Sequence, residues 1–165
     1  MGAALAAKAV APKYFSFLIF GVTQVVIDSE AAFYVIRDDW PYHRFLHTYL
    51  GATLAALLAV VIGRPLLERA FRVWNRLIVS DRGSLLWVEP RVPLVAAISG
   101  ALIGGYSHVL LDSFLYMDMR PIAPLSDSNA ALNALSTLEV YAMCLALGLL
   151  GGIALAARWV WMRFH

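Results

Sequence analysis

Four long apolar runs divide the sequence, and each is long enough to cross a lipid bilayer as a helix. Between the second and third runs, apolar residues recur at helical spacing while arginines and other polar residues fill the opposite face. That pattern predicts a short amphipathic cytoplasmic helix over about 65–79, which lies at the membrane surface or caps the bundle. The prediction is an all-α integral membrane protein, a four-span helical bundle in a single transmembrane domain over 1–165. The predicted spans cover about 13–36, 41–63, 92–116 and 133–160.

Composition agrees with a membrane protein. The chain of 165 residues is 61% hydrophobic and 15% charged, whereas a soluble domain is about half apolar and about a quarter charged. A core of this size does not hide that much apolar surface. The single cysteine, Cys144, excludes an intramolecular disulfide and a cysteine-rich zinc site, and it reads as a small hydrophobe facing lipid or core.

The N-terminal segment and the distribution of basic residues predict the orientation. Residues 1–11 are rich in alanine and predict a loose cytoplasmic lead, and the run after them is too long and too acidic for a signal peptide, so it is a retained span. Of the 13 basic residues, ten fall on the side of the termini and the middle loop. By the positive-inside rule, both termini are cytoplasmic in a multi-pass protein of a bacterial-type inner (plasma) membrane. The three on the other side are Arg37, Arg44 and Arg120.

Ionisable side chains interrupt the apolar runs in three pairs. A charge at the centre of a bilayer costs roughly 3 kcal/mol on insertion scales, so such residues usually mark a functional site. Residues four apart share one face of a helix, and two of the pairs have that spacing. The pairs are Asp28 and Glu30, His43 and His47, and His108 and Asp112.

The three pairs fall at a similar depth. With a rise of ~1.5 Å per residue, Asp28 and His108 lie roughly 22 and 24 Å from the cytoplasmic surface of a core ~30 Å thick. His47 lies about 9 Å below the outer surface on the same rise per residue. Nitrogen and oxygen donors of this kind suit Zn²⁺, Mn²⁺ or Fe²⁺, and one or two divalent ions would neutralise the buried acids. Asp28 and Glu30 point apart on an ideal helix, so Asp28 is the better ligand unless the helix is distorted.

Each polar pair also has a purely structural interpretation. His108 and Asp112 would then be a hydrogen-bonded pair that joins two helices, the two histidines near position 45 would be interfacial residues, and Asp28 would be a protonated carboxyl. Arg44 is either a surface charge paired with an aspartate of the preceding turn or a fork that holds a phosphate or carboxylate. Glu139, near the start of the last span, is a further candidate for the site.

Three segments resemble the inner-membrane metal-dependent hydrolase family of the YdjM type. That family shows a D-x-D element, then H-R-x-x-H-S/T, then G-x-x-S-H-x-x-x-D, and the resemblance covers roughly residues 28–125 in the same order. Glu30 stands where the family has its second acid, and Ile27 stands where a proline often precedes it. The resemblance implies a small multi-span protein whose metal ligands are Asp28, His43, His47, His108 and Asp112.

Two functions are consistent with these patterns. The first is a metal-dependent hydrolase near the outer face, using one or two ions of zinc or manganese, with Glu30 or another carboxylate as general base and Arg44 steadying an anion. Its depth suits a lipid or lipid-linked ester or phosphoester, and no nucleic-acid partner is expected. The second is a non-catalytic membrane module whose cluster is a structural metal site or part of an ion or proton path. The apolar inner halves of spans two and four argue against a through-path.

Overall fold

The computed structural model describes residues 2–79, 81, 84 and 86–164, and these residues form an all-helical structure. Among them, four helices are long and apolar enough to span a membrane, in agreement with the four predicted runs. A fifth, shorter helix precedes them. The helices are α1 (Gly2–Val10), α2 (Phe17–Ile36), α3 (Tyr49–Leu77), α4 (Leu94–Leu115) and α5 (Thr137–Phe164).

Local capping explains both ends of α2. The Ser16 hydroxyl accepts a hydrogen bond from the Ile19 N–H, so the helix starts four residues after the predicted span begins. At the other end, Asp38 has a positive φ of 52°. The N–H groups of Asp38 and Asp39 return to the carbonyls of Val35 and Tyr34, which is the Schellman arrangement that closes a helix.

The second predicted span begins later than the sequence suggested. Residues 41–44 are not helical, Phe45–His47 form one 3₁₀ turn, and α3 starts at Tyr49. The Thr48 hydroxyl caps α3 by accepting from the Gly51 N–H at 2.9 Å. The prediction that Pro41 opens the span was therefore wrong, because carboxylates from other parts of the chain bind the backbone N–H groups of this segment.

The amphipathic stretch is not a separate helix over 65–79 as predicted. It is the end of α3, which runs from Tyr49–Leu58 through a π-helical turn at Ala59–Gly63 into Arg64–Leu77. Pro65 has no N–H to donate, and the π turn lies immediately before it, where the hydrogen-bond register shifts. The Asn75 side chain donates from its NH2 group to the Val88 carbonyl and accepts from the Val88 N–H, which ties this end of α3 to the segment that leads into α4.

The N-terminal segment is also more ordered than predicted. Its alanines form α1, which packs along α5 instead of forming a loose lead. Glycines on α5 let the two backbones approach closely: a Cβ on Gly151 would collide with the backbone of Leu5 and Ala6. Lys8 donates to the carbonyls of Pro12 and Phe15 at 2.7 and 2.9 Å, and partial burial lowers the pKa of its ammonium group.

Helix α4 forms the centre of the bundle, between α2 and α3. Small residues allow this: a Cβ on Gly104 would lie 2.9 Å from the Phe20 carbonyl oxygen, and one on Gly105 would lie 3.1 Å from the Ala52 carbonyl oxygen. The connections 37–48 and 116–136 meet at one end of the bundle, which we call the cluster end. The polar residues Asp28 and Glu30 of α2 and His108 and Asp112 of α4 lie near this end, so the packing of these two helices brings them together.

Candidate metal centre

The fold brings together all five residues that were predicted as metal ligands. Two groups, each with ligand atoms within 4.8 Å of one another, share His47 and could hold a metal ion. The donors come from two helices and from the irregular segment between α2 and α3, not from three helices. The first group is Asp28, His47 and His108, and the second is His43, His47 and Asp112.

The three imidazole rings are packed against one another. The ring centroids of His43 and His47 are 4.7 Å apart, and those of His47 and His108 are 5.4 Å apart. His43 and His47 do not share a helix face as their spacing predicted, because one precedes the 3₁₀ turn and the other ends it. The His47 and His108 side chains are only 1% and 8% exposed, so their rings are held in place on all sides.

The inner nitrogens of these rings lack ordinary partners. Among the described residues, Nε2 of His47 and Nε2 of His108 are buried side-chain atoms without a hydrogen bond. Carboxylate oxygens nevertheless lie close to Nε2 of His108: Oδ2 of Asp112 at 3.1 Å and Oδ1 of Asp28 at 3.3 Å. Nε2 of His47 is 4.0 Å from the same Asp112 oxygen. With metal–ligand bonds of about 2.1 Å, donors around one ion lie roughly 3.4 Å apart, so these distances fit a shared ion.

The outer nitrogens, in contrast, are all engaged. Nδ1 of His43 lies 2.8 Å from Asp118, and Nδ1 of His47 lies 3.2 Å from Glu30. Nδ1 of His108 lies 3.2 Å from the Gln24 side-chain oxygen, and the Gln24 amide in turn donates to the Gly104 carbonyl. Each acceptor favours the tautomer that carries its proton on Nδ1 and leaves the Nε2 lone pair free, which is the arrangement usual behind metal-binding histidines.

Glu30 and Asp118 also hold the irregular backbone between α2 and α3. Glu30 accepts from the N–H groups of Arg44 and Leu46 at 3.2 and 2.9 Å. Asp118 accepts from those of Tyr42 and His43 at 2.8 and 3.1 Å. Burial on its own raises the pKa of the Asp118 carboxyl, but the His43 N–H and ring outweigh it and hold that pKa below its usual value. These bonds replace the helical ones that the sequence pattern predicted.

Asp28 and Glu30 point in different directions from a regular α2, and of the two acids only Asp28 belongs to a group of candidate metal ligands, as the sequence predicted. Asp28 faces His108 on α4, and Glu30 faces His47 in the preceding connection. Both directions lead to the site because α4 lies on one side of α2 and the connection that follows α2 lies on the other. The Asp28 side chain is 62% exposed and that of Glu30 is 13% exposed, so Asp28 is the acid that solvent reaches.

The other two candidates, Arg44 and Glu139, do not belong to either group of candidate metal ligands and are paired with neighbouring residues. The Arg44 guanidinium binds the Asp39 carboxylate at 2.9 Å and the Pro41 carbonyl at 2.8 Å, and it lies 3.5 Å from the centre of the Tyr34 ring. This is the surface pairing that the sequence left open. Glu139 accepts hydrogen bonds from the N–H and the hydroxyl of Ser136, which accepts in turn from the Glu139 N–H. That reciprocal pair is a capping box at the start of α5.

Three residues of the site were not singled out from the sequence. Gln24 precedes Asp28 by one helical turn, so its position on the same face of α2 was a usable signal. Asp118 had no such signal, because both it and His43 lie outside helices and no periodicity relates them. Tyr116 stacks on the His43 ring with centroids 4.3 Å apart, and burial raises the pKa of its hydroxyl.

No family model, no curated protein and no solved structure matches the chain. The geometry therefore stands on its own: an all-helical protein with four helices apolar enough to span a membrane carries a His/Asp cluster that could hold a metal ion.

Proposed function

We propose that the protein is a membrane-embedded metal-dependent hydrolase that acts on a lipid or lipid-linked ester or phosphoester. The observation that carries this proposal is the pair of buried Nε2 atoms, on His47 and His108, that face carboxylate oxygens and have no hydrogen bond. Imidazole lone pairs and carboxylates that face one another in this way would be held together by a divalent cation between them. The likeness of the three motif segments to the YdjM-type family supports the same function.

The chain's own groups fit the needs of hydrolysis. A divalent ion held there would lower the pKa of a bound water towards ~7 and polarise the scissile bond. Glu30, Gln24 and Asp118 orient the imidazoles, so the donors are held in position before substrate arrives. The three hydrogen bonds to Glu30, the predicted general base, all go to one oxygen, Oε2, so the other oxygen of this carboxylate can accept a proton from water. The Asp28 side chain, which is 62% exposed, is a second candidate for this role.

The depth of the cluster supports a lipid substrate. Asp28 lies eight residues before the end of α2, and His108 lies seven residues before the end of α4. At ~1.5 Å per residue, both lie about 10 to 12 Å from the cluster end, which is about the outer third of a hydrocarbon core ~30 Å thick. The opposite end holds most of the basic residues, so the positive-inside rule supports an outward-facing site.

Elemental analysis of protein purified in detergent tests the metal directly. We expect the wild type to retain a stoichiometric transition metal and His108→Ala to lose it. Leu110→Ala is the matched control, because it lies on the same helix and its side chain is 44% exposed. A wild type without stoichiometric metal would contradict the proposal.

Hydrolysis of headgroup esters in mixed micelles tests the activity. The wild type and Leu110→Ala should cleave at least one ester or phosphoester, while His108→Ala and Asp112→Ala should not. If the metal is present and no ester in the panel is cleaved, the enzyme assignment is contradicted and the alternative below is supported.

A structural metal site is the alternative, and one observation favours it. Both residues predicted to be catalytic, Glu30 and Arg44, are engaged by protein groups: Glu30 by the Leu46 N–H and Arg44 by the Asp39 carboxylate. In that case a chelator should lower the thermal stability of the protein strongly, and re-addition of metal should restore it without any hydrolysis.

A further inference from the structure

A cleft of about 320 Å³ opens at the cluster end, between the irregular segment that follows α2 and the connection that follows α4. His43 lines this cleft and also belongs to the second group of candidate metal ligands. A molecule bound in the cleft therefore lies beside the metal centre. The other lining residues that matter here are Arg44, Phe45, Leu50, Arg120 and Pro124.

The two arginines of the cleft differ in how firmly they are held. Arg44 is fixed by the Asp39 carboxylate, by the Pro41 carbonyl and by the Tyr34 ring. Arg120 pairs with Asp127 at 3.2 Å, and these two side chains are 55% and 77% exposed. An ion pair so exposed to solvent contributes little, so an anion that enters the cleft competes readily with Asp127 for the guanidinium.

Apolar side chains at the cluster end form the rim of the cleft. Leu50 lies in the first turn of α3 and is 49% exposed, and Phe45 is 48% exposed. Leu125, just beyond the lining residue Pro124, is 93% exposed. Exposed apolar side chains beside a cationic group are suited to the membrane interface, where one part of a ligand is charged and the other is hydrocarbon.

We infer that this cleft binds the anionic headgroup of a lipid-borne substrate, with Arg120 as the residue that contacts the anion. The inference rests on the proposed function for the reaction itself, but it concerns a separate group of atoms. Arg120 positions the headgroup through a charge-assisted hydrogen bond, and the apolar rim receives the first part of the acyl or polyprenyl chain. His43 stands between the headgroup and the metal centre.

Native mass spectrometry of the full chain tests this inference without relying on catalysis. Short-chain phosphatidylglycerol, short-chain phosphatidylcholine and inorganic phosphate serve as probes, and the metal content is read from the same spectra. We expect the wild type to prefer phosphatidylglycerol and Arg120→Gln to bind it roughly tenfold more weakly. Asp127→Asn should bind it more tightly, because the competing carboxylate is gone.

The matched control is Arg37→Gln. Arg37 is at the same end of the bundle, where its guanidinium lies 4.2 Å from the centre of the Phe33 ring, and it does not line the cleft. Its loss should leave the affinity for phosphatidylglycerol unchanged. Equal weakening by Arg37→Gln and Arg120→Gln would overturn the inference, because it would show a general surface-charge effect.

Other outcomes separate the inference from the proposed function. Binding of inorganic phosphate as tight as that of phosphatidylglycerol would overturn the lipid assignment. Arg120-dependent lipid binding by a protein without metal would support the cleft and contradict the hydrolase. If the protein binds metal but its lipid affinity does not depend on Arg120, the metal centre is supported and the inference about the cleft is overturned.

Discussion

Helices α4 and α5 are both long enough to cross a membrane, and the apolar 18-residue window of α5 has the higher mean hydropathy, 2.1 against 1.7, yet the two helices occupy opposite environments. In the apolar 18-residue window of each helix, 44% of the residues of α4 are buried but only 11% of those of α5. Helix α4 packs against α2 and α3, whereas α5 packs mainly against the short α1. The helix with the less apolar window is therefore the central one of this bundle.

The difference shows what selects a helix for the centre of a membrane bundle. Lipid tails are as apolar as leucine, so apolar side chains do not drive helices together there. Helix α4 is central because its glycines and alanines let neighbouring backbones approach and because His108 and Asp112 find partners on α2 and in the connection before α3. Helix α5 has no comparable polar face among its described residues after Glu139, and many of its exposed side chains are large and apolar.

Asp112→Leu should break this contrast most strongly, because it makes one turn of α4 as apolar as α5. It removes the carboxylate that lies between the inner nitrogens of His47 and His108. Changes behind the ligands typically weaken metal binding by about 10- to 100-fold, so loss of a ligand should exceed ~100-fold. Competition with a chelating dye measures the affinity. Leu149→Ala on α5 is the control, and equal affinity of the two variants would show that Asp112 is not a ligand.

Gly104→Ala tests the packing half of the comparison. The new methyl group would lie 2.9 Å from the Phe20 carbonyl oxygen, a backbone atom that does not move easily. We expect a loss of about 2 kcal/mol in the free energy of unfolding, seen as a lower melting temperature in detergent. Gly152→Ala on α5 meets nothing within 4 Å, so it should cause no loss. Similar melting temperatures for both variants would contradict the central role of α4.

Gln24→Leu separates the orientation of the His108 ring from the presence of the metal ligands themselves. Gln24 connects the Gly104 carbonyl to Nδ1 of His108, so its loss leaves the ligands present but one ring less well oriented. Metal affinity should fall about tenfold, the lower part of the range for groups behind metal ligands. The neighbouring Val25→Ala, whose side chain is 69% exposed, should bind metal normally. An unchanged affinity in Gln24→Leu would remove Gln24 from the site.

Glu139→Ala should have the smallest effect, and only on stability. It removes the carboxylate that accepts from Ser136 at the start of α5, and capping interactions of this kind contribute about 0.5 to 1 kcal/mol. The melting temperature should fall slightly while metal affinity stays the same. A loss of metal affinity would show that Glu139 does take part in the site, as the sequence had allowed.

Much of the site was predictable because polar residues in apolar runs are conspicuous. His108 and Asp112 stand four apart on a regular helix, and the structure keeps them on one face, as their spacing predicts. Gln24 was predictable in the same way, because it lies one helical turn before Asp28 on the same face of α2. Asp118 was not, because it contacts a residue 75 positions away and both lie in irregular chain.

The errors in the fold share one cause. A run of apolar residues does not show where its helix begins, so Pro41 looked like a start although Thr48 is the cap. It does not show whether two helical patterns are joined, so the continuous α3 looked like two elements. Alanines without a clear periodicity looked like a loose lead, although close packing against glycines of α5 makes them a helix.

The sequence by itself determined the helical class, the four apolar runs and the identity of the residues that could hold a metal, because these follow from local composition and helical periodicity. Only the tertiary structure decided that His43 and His47 approach the site from an irregular segment, that Glu30 and Asp118 hold that segment, and that Arg44 is paired with Asp39. Those facts depend on hydrogen bonds between residues far apart in the chain, which no local pattern encodes.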